Sequence, residues 1–411
     1  MSSNVPLQAY PTRHFHNPRA AADRGYADAQ RAILNEREAA AAGREIARWP
    51  GYTPSPLRFL RGLAARAGVG SIAYHDESRR FGLGSFKALG GAYAVYRHLA
   101  RAIAARTGQD SIGVAALAAG RYREIAASIT VCCATDGNHG RSVAWGARTF
   151  GCACVIYVHE TVSAGREAAI AAYGARVVRH PGNYDEAVHR AARDAQANGW
   201  VVVSDTSYEG YTDIPRDVMH GYTLMADEAL RAHEKDSVPT HVFVQGGVGG
   251  LAAAVCARAW WAYGGARPRC VVVEPERAAC LFESACAGRR VTLSGDIETV
   301  MAGLSCGEPS LLAWEILDAG ADDFMTVPDD AATAVMRVLA DGVDGDPPIV
   351  CGESAGAGLA GLLAAMADPP LARALGLDAH ARVLVFGTEG DTDPELYTRI
   401  VGRSADAVRG A

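Results

Sequence analysis

His241-Val242-Phe243-Val244-Gln245-Gly246-Gly247-Val248-Gly249-Gly250-Leu251-Ala252-Ala253-Ala254 is the stretch that decides the fold. Residues 241–245 form an apolar run of strand length. Residues 249–263 carry an alanine-rich pattern of helical length. A tight strand-to-helix turn needs one or two glycines, and four stand here. They let consecutive backbone N–H groups turn toward one point with no Cβ in the way, and the N-terminus of the next helix adds partial positive charge. Such a loop is an anion cradle suited to a phosphate. Gly247-Val248-Gly249-Gly250-Leu251-Ala252 also fits a loose GxGxxA dinucleotide fingerprint. Glu274 ends the next strand near where a ribose-binding acid would stand, so a nicotinamide-dependent oxidoreductase is a competing reading.

The same alternation extends to both sides. Strand-like runs occupy 129–134, 152–158, 174–179, 200–205, 269–274, 348–351 and 382–387. Helix-like stretches occupy 139–150, 163–173, 184–198, 213–233, 329–341 and 353–367, and the alanine-rich span 95–128 reads as helix with a glycine-interrupted middle. Continuous apolar strands separated by amphipathic helices define an α/β architecture of two open, mostly parallel sheets flanked by helices. Ligands in such sheets sit beyond the carboxyl ends of the strands. Five strand ends are polar or glycine-rich: Thr135–Gly140, Asp205–Gly210, Gly246–Gly250, Gly352–Gly356 and Gly387–Asp391. Their convergence predicts one binding cleft.

Composition narrows the classes. The chain has 411 residues, 49% hydrophobic and 21% charged, with a formal net charge of −6, so no clustered cations favour nucleic acid. No apolar run is long enough for a transmembrane helix, and the polar N-terminus carries no apolar signal segment; a cytoplasmic protein is expected. Ten cysteines lack zinc spacing, no HExxH occurs, and no metal site is expected. Several cysteines lie in strand-like runs and read as buried free thiols, while Cys280 and Cys306 fall in loop-like segments.

Lysine is scarce. Lys235 sits in a polar, solvent-like stretch, whereas Lys87 follows Gly84-Ser85-Phe86 and opens an Ala/Gly-rich helix. A packed lysine can lose its charge and act as an amine nucleophile; the alternative is a surface side chain. Arg79 and Arg80 read as surface or interface charges.

Ser85-Phe86-Lys87-Ala88 followed by Gly90-Gly91-Ala92 resembles the cofactor-lysine segment of fold-type II pyridoxal-phosphate enzymes, the group of tryptophan synthase β, threonine dehydratase and cysteine synthase. Gly137-Asn138-His139-Gly140 resembles that group's asparagine loop and Gly246–Gly250 its phosphate loop. Gly387-Thr388 resembles the position whose hydroxyl faces the pyridine nitrogen. Order and spacing agree over residues 75–395. More narrowly, Ala134–Arg141, Asp205–Tyr211 and Gly352-Glu353-Ser354 resemble the diaminopropionate ammonia-lyase family. Threonine and serine dehydratases usually carry Ser-Ala-Gly-Asn where this chain has Thr-Asp-Gly-Asn.

The resemblance implies pyridoxal 5'-phosphate attached to Lys87. Backbone N–H groups of Gly246, Gly247, Val248, Gly249 and Gly250 would hold its phosphate. Asn138 would meet its phenolic oxygen, Thr388 its ring nitrogen, and Phe86 and Glu353 would line it. Lys87 would act as base on one face of the substrate Cα and Asp136 on the other. Carboxylates at Asp136 and Asp205 would also attract the second ammonium of a diamino acid. Both aspartates have ordinary roles as turn or cap residues as the competing reading. His139 is expected to be structural.

The implied reaction is elimination of 2,3-diaminopropionate, L and D, to pyruvate and ammonia. The alternative within the family is a dehydratase of serine, threonine or a β-aryl serine; a non-catalytic binding protein is a further reading. A homodimer is implied, with no nucleic-acid or membrane partner. A small domain at 89–210 is expected to be inserted between 1–88 and 211–411, which form the cofactor domain, and to close over a small amino-acid substrate.

Overall fold

The computed structural model describes residues 8–20, 25–233 and 238–410, so Lys235 lies outside it. Eleven strands are present among the described residues: β1 His14–His16, β2 Leu57–Phe59, β3 Ser71–Asp76, β4 Thr130–Ala134, β5 Ala153–His159, β6 Arg176–His180, β7 Val201–Val202, β8 His241–Gln245, β9 Arg269–Pro275, β10 Asp323–Val327 and β11 Arg382–Gly387. They form two sheets. The seven-stranded sheet has the order β1-β10-β9-β8-β11-β3-β2, and the four-stranded sheet has the order β6-β5-β4-β7. The smaller sheet is wholly parallel. In the larger sheet only the edge strands β1 and β2 run antiparallel. β8 and β10 are buried along their whole length and β9 along nearly all of it, as an apolar run covered on both faces must be.

Several boundaries differ from the sequence reading for identifiable reasons. Residues 348–351 form no strand: two prolines, Pro347 and Pro348, remove ladder donors, and the Ile349 N–H bonds to Leu339 O instead. β7 is only two residues long. The helix within 95–128 starts earlier, as Gly91–Thr107, and is stopped by Gly108 at φ +70; two short helices, Val114–Ala118 and Arg123–Ala127, follow. Lys87 lies in a 3-10 turn, Phe86–Leu89, ahead of that helix rather than within it.

Arg79 is exposed, but Arg80 is not a surface charge. Its side chain is 1% exposed and lies between Glu77 and Glu228. Glu77 and Glu228 also stand with His75 in a group that could ligate a metal. The Arg80 guanidinium is bonded to both carboxylates, so the group is organised as an ion-pair network. All ten cysteines are free and seven are buried. Cys280 heads a helix, Cys280–Ala287, rather than a loop.

Candidate active site

The carboxyl ends of both sheets face one cleft. From the larger sheet come the lysine turn after β3, the glycine loop after β8 and the Gly387-Thr388-Glu389 turn after β11. From the smaller sheet come the Thr135–Gly140 loop after β4, His159 at the end of β5 and the Asp205 loop after β7.

Lys87 is half-buried, and its Nζ donates to Asp205 Oδ2 at 2.7 Å. The side chain runs over the rings of Phe86 and Tyr222, which pack 4.7 Å apart. Burial alone would lower the amine's pKa, but the Asp205 carboxylate outweighs it and pushes the amine well above its ordinary value. The desolvated, neutral lysine considered from sequence is thus corrected: Asp205 keeps the amine charged in this arrangement. Asp205 responds in kind. Burial would raise its carboxyl, and Lys87 followed by His139 holds it well below the usual range. His139 is fixed by its Nε2 at 2.7 Å from Val203 O, with Nδ1 turned toward Asp205 at 3.8 Å. Burial depresses its pKa, so the neutral ring is the stable form.

The glycine loop has the form of a cradle. Gly247 and Gly249 take φ of +64 and +96, which side-chain-bearing residues rarely adopt. A Cβ on Gly246 would fall 2.5 Å from Glu274 Cγ. Gly246 N–H is committed to Val273 O and Gly249 N–H to Gly246 O. Among the described residues, the N–H groups of Gly247, Val248 and Gly250 have no protein acceptor. They stand at the N-terminus of a 14-residue helix, Gly250–Tyr263. The loop is braced by Ser310, whose N–H bonds Val248 O and whose hydroxyl meets both the N–H and the hydroxyl of Ser207. The Asp205 loop and the anion cradle are therefore tied to each other.

Glu274 does not serve the dinucleotide reading. It is fully buried, its two oxygens accepting the N–H groups of Leu281 and Phe282 at 3.0 and 2.7 Å. No carboxylate is left for a ribose.

Three supporting residues escaped sequence reasoning. Gln245 donates to Thr388 Oγ1 at 3.0 Å, which leaves the threonine's own proton free for a neighbouring acceptor. Glu389, buried at the end of β11, accepts the Asn138 side-chain amide and the Ser354 N–H. Arg166 bonds Glu353 and stands 3.4 Å from Asp393, joining the wall of the smaller sheet to that of the larger. Gln245 and Glu389 are the residues adjoining the two glycine motifs, which is the available signal. Nothing local marks Arg166. Glu353 is buried and pushed up to about 8, first by burial and next by Glu389, with Arg166 opposing.

Asp136 lies on the smaller-sheet side of the cleft, its Oδ1 2.6 Å from His159 Nε2. Lys87, Asp205, Asn138, Thr388 and the glycine loop are thus gathered at the strand ends. Glu353 reaches the cleft through Arg166 and beside Glu389.

The donor set fits pyridoxal phosphate: one amine, three free N–H groups at a helix start, a neutral hydroxyl and an amide. The model of the family described as "Pyridoxal-phosphate dependent enzyme" matches residues 48–386, and the chain belongs to that family of cofactor-dependent enzymes. More particularly, it is 41% identical over 364 residues to the diaminopropionate ammonia-lyase of Escherichia coli strain K12, covering 87% of this chain and 89% of the relative. It is also similar to the crystal structure of the E. coli diaminopropionate ammonia lyase in complex with D-serine: TM-score 0.87, 36% identity, covering 97% of this chain and 99% of that one. The structure of the same enzyme in complex with an aminoacrylate-PLP azomethine reaction intermediate gives a TM-score of 0.85 at 36% identity, covering 96% of this chain and 97% of that one.

Proposed function

We propose that this enzyme eliminates the β-amino group of 2,3-diaminopropionate, taking both L and D isomers, to give pyruvate and ammonia. The observation that carries this reading is the pair of half-buried carboxylates, Asp136 and Asp205, on the smaller-sheet side of the cleft, with Asp205 directly against Lys87. A substrate with a second ammonium gains from such a wall, and one with a hydroxyl does not.

Pyridoxal phosphate, when bound, supplies the electron sink that makes the Cα proton acidic. Lys87 would hold the cofactor and would move the proton on one face of Cα. Asp136 takes it on the other face. Asp205 holds the lysine ammonium and would face the substrate's second ammonium. The free N–H groups of Gly247, Val248 and Gly250 would bind the phosphate, with Gly246 and Gly249 shaping the loop. Asn138, held by Glu389, would orient the ring, Phe86 and Glu353 would flank it, and Thr388 would meet the ring nitrogen as a neutral partner. The β-nitrogen leaves as ammonia after protonation; the released 2-aminoacrylate hydrolyses to pyruvate and a second ammonia.

The purified protein, loaded with cofactor, is assayed for keto acid and ammonia on both isomers of diaminopropionate, D- and L-serine, L-threonine and a β-aryl serine. Diaminopropionate turns over fastest, with two ammonia released per pyruvate from the balance above. A far better reaction of L-threonine or the β-aryl serine establishes the dehydratase alternative instead. Borohydride reduction followed by peptide mapping fixes the cofactor on Lys87. The chain's other lysine is Lys235, so a label there or nowhere refutes the assignment.

The proposal includes a homodimer, residues 89–210 closing as a unit on 1–88 and 211–411, and a cytoplasmic location. The ten free thiols suit a reducing compartment. No helix among the described residues is long and apolar enough to cross a membrane. Light scattering tests the dimer, and unchanged small-angle scattering with a bound inhibitor refutes the closure.

A further inference from the structure

We infer that His159 is the positioning residue for Asp136, and that it governs turnover of one substrate enantiomer and not the other. The inference rests on the two-base reading given above. The register of the smaller sheet makes the pairing. Ala134 stands opposite Tyr157, so two residues on, Asp136 stands beside His159. The Thr135 N–H to Tyr157 O bond continues the ladder to that point.

His159 Nε2 is 2.6 Å from Asp136 Oδ1, and its other ring nitrogen is 3.0 Å from Thr161 Oγ1. Both ring nitrogens are thus engaged, which fixes the ring's rotation. The ring is buried, with the Tyr184 ring edge-on at 6.2 Å. Asp136 is held at its backbone as well, by Arg166 Nη1 on its carbonyl at 3.4 Å. With Oδ1 occupied, Oδ2 is the oxygen that works on the substrate. Without His159 the half-exposed carboxylate rotates freely, and a base that must meet one proton loses orientation. Among the described residues no hydrogen bond or ion pair joins Lys87 or Asp205 to His159, so the other face of Cα is served as before.

The test measures kcat and KM for D- and L-diaminopropionate in the cofactor-loaded enzyme, Asp136→Asn, His159→Ala and His159→Gln. Asp136→Asn identifies the enantiomer that depends on Asp136. His159→Ala lowers kcat for that enantiomer by about tenfold or more, the worth of one hydrogen bond to a charged group, and leaves KM and the other enantiomer within about threefold. His159→Gln, whose amide nitrogen reaches near the position of Nε2, restores the ratio of the two enantiomers. Equal losses on both enantiomers from His159→Ala and His159→Gln mark a merely structural histidine and overturn the inference, as does the absence of any loss. If Asp136→Asn shows no enantiomer bias, the two-base reading fails and the inference with it. Bias in Asp136→Asn without bias in either His159 variant refutes the inference alone.

Discussion

Replacing Arg80 by methionine tests whether the segment leading to Lys87 is held by a buried ion network. Arg80 Nε and Nη2 grip Glu77 at 2.8 and 2.6 Å, Nη1 reaches Thr53 O at 2.9 Å, and the same guanidinium bonds Glu228. Glu77 is fully buried and Glu228 has an 8% exposed side chain. Stranding a buried carboxylate is worth roughly 3–5 kcal/mol. Glu77 would keep His75 Nε2 at 2.9 Å, and Glu228 would keep the Tyr52 hydroxyl at 2.8 Å and the Ser55 N–H at 3.1 Å. These residual partners put the expected loss near the lower end, about 3 kcal/mol. The sign of the pH dependence follows from Glu77. Burial alone would raise its carboxyl, but Arg80 and then His75 outweigh it and hold it well below its ordinary value of 4.5. A depressed carboxyl stabilises the fold fully above that ordinary value and loses its contribution as pH falls below it. In the variant burial wins, Glu77 takes up a proton more readily, and the deficit against the parent narrows in acid. Urea midpoints of both proteins at about pH 8 and about pH 5 measure this difference. A deficit under about 1 kcal/mol, or one equal at both pH values, refutes the network as the anchor. The pair Glu77→Gln with Arg80→Met recovers most of the loss, since removing both charges is often near neutral.

Three other outcomes follow from the same geometry. Gly246→Val drives a side chain into Glu274 and tilts the cradle; it destabilises the protein by about 1–3 kcal/mol and weakens cofactor binding about tenfold or more, read by thermal melting and by titration with pyridoxal phosphate. Gly221→Ala puts a methyl into the Leu89 carbonyl at the base of the lysine turn. It slows borohydride labelling of Lys87 while the Gly90-distant strands β9 and β10 keep their hydrogen-exchange protection; unchanged labelling would show the turn to be self-supporting. Glu389→Ala leaves the Asn138 amide and the Ser354 N–H without their acceptor; kcat falls by about tenfold with cofactor retained, whereas a rise in KM alone would assign Glu389 to substrate binding.

The sequence exposes most of this arrangement because its strongest signals are local. β8, β11 and the helices Tyr184–Asn198 and Asp329–Asp341 stand where the apolar periodicity puts them. The four glycines locate the anion cradle for the same reason: positive φ at Gly247 and Gly249 is a demand that only composition can meet. What stayed hidden is buried polarity. β3 sits second from one edge of the larger sheet, yet its His75 and Asp76 interrupt the apolar run, since Glu77 and Arg58 satisfy them from outside the strand. β10 begins at Asp323, buried against Arg269, and that charged start masks the strand in the same way. Arg80 reads as surface for the converse reason: beside nearby Glu77, its second partner Glu228 lies 148 positions away. Pairings such as Arg80 with Glu228 and Arg269 with Asp323 belong to the fold, and no short window of sequence contains them.

The division of the site between two sheets gives those hidden polar pairs their functional weight. Lys87, the glycine loop, Thr388 and Glu389 ride on the larger sheet; Asp136, Asn138, Asp205 and Arg166 ride on the smaller. The contacts crossing the cleft at the strand ends are polar: Lys87 with Asp205, Asn138 with Glu389, and Arg166 with Glu353 and Asp393. Beneath these polar contacts one hydrophobic core runs on from the smaller sheet, at Val131 and Ile156, to the larger, at Val242 and Leu384. Each pair also joins a group assigned to the chemistry or the cofactor to the opposite wall. Under the closure proposed above, these pairs would bring the base, the ring holder and the anion cradle together. A substrate that bridges the walls, as a carboxylate with two ammonium groups would, replaces the Lys87–Asp205 pair with its own charge. Under the proposed function, selection for a diamino acid and assembly of the catalytic groups would be the same event.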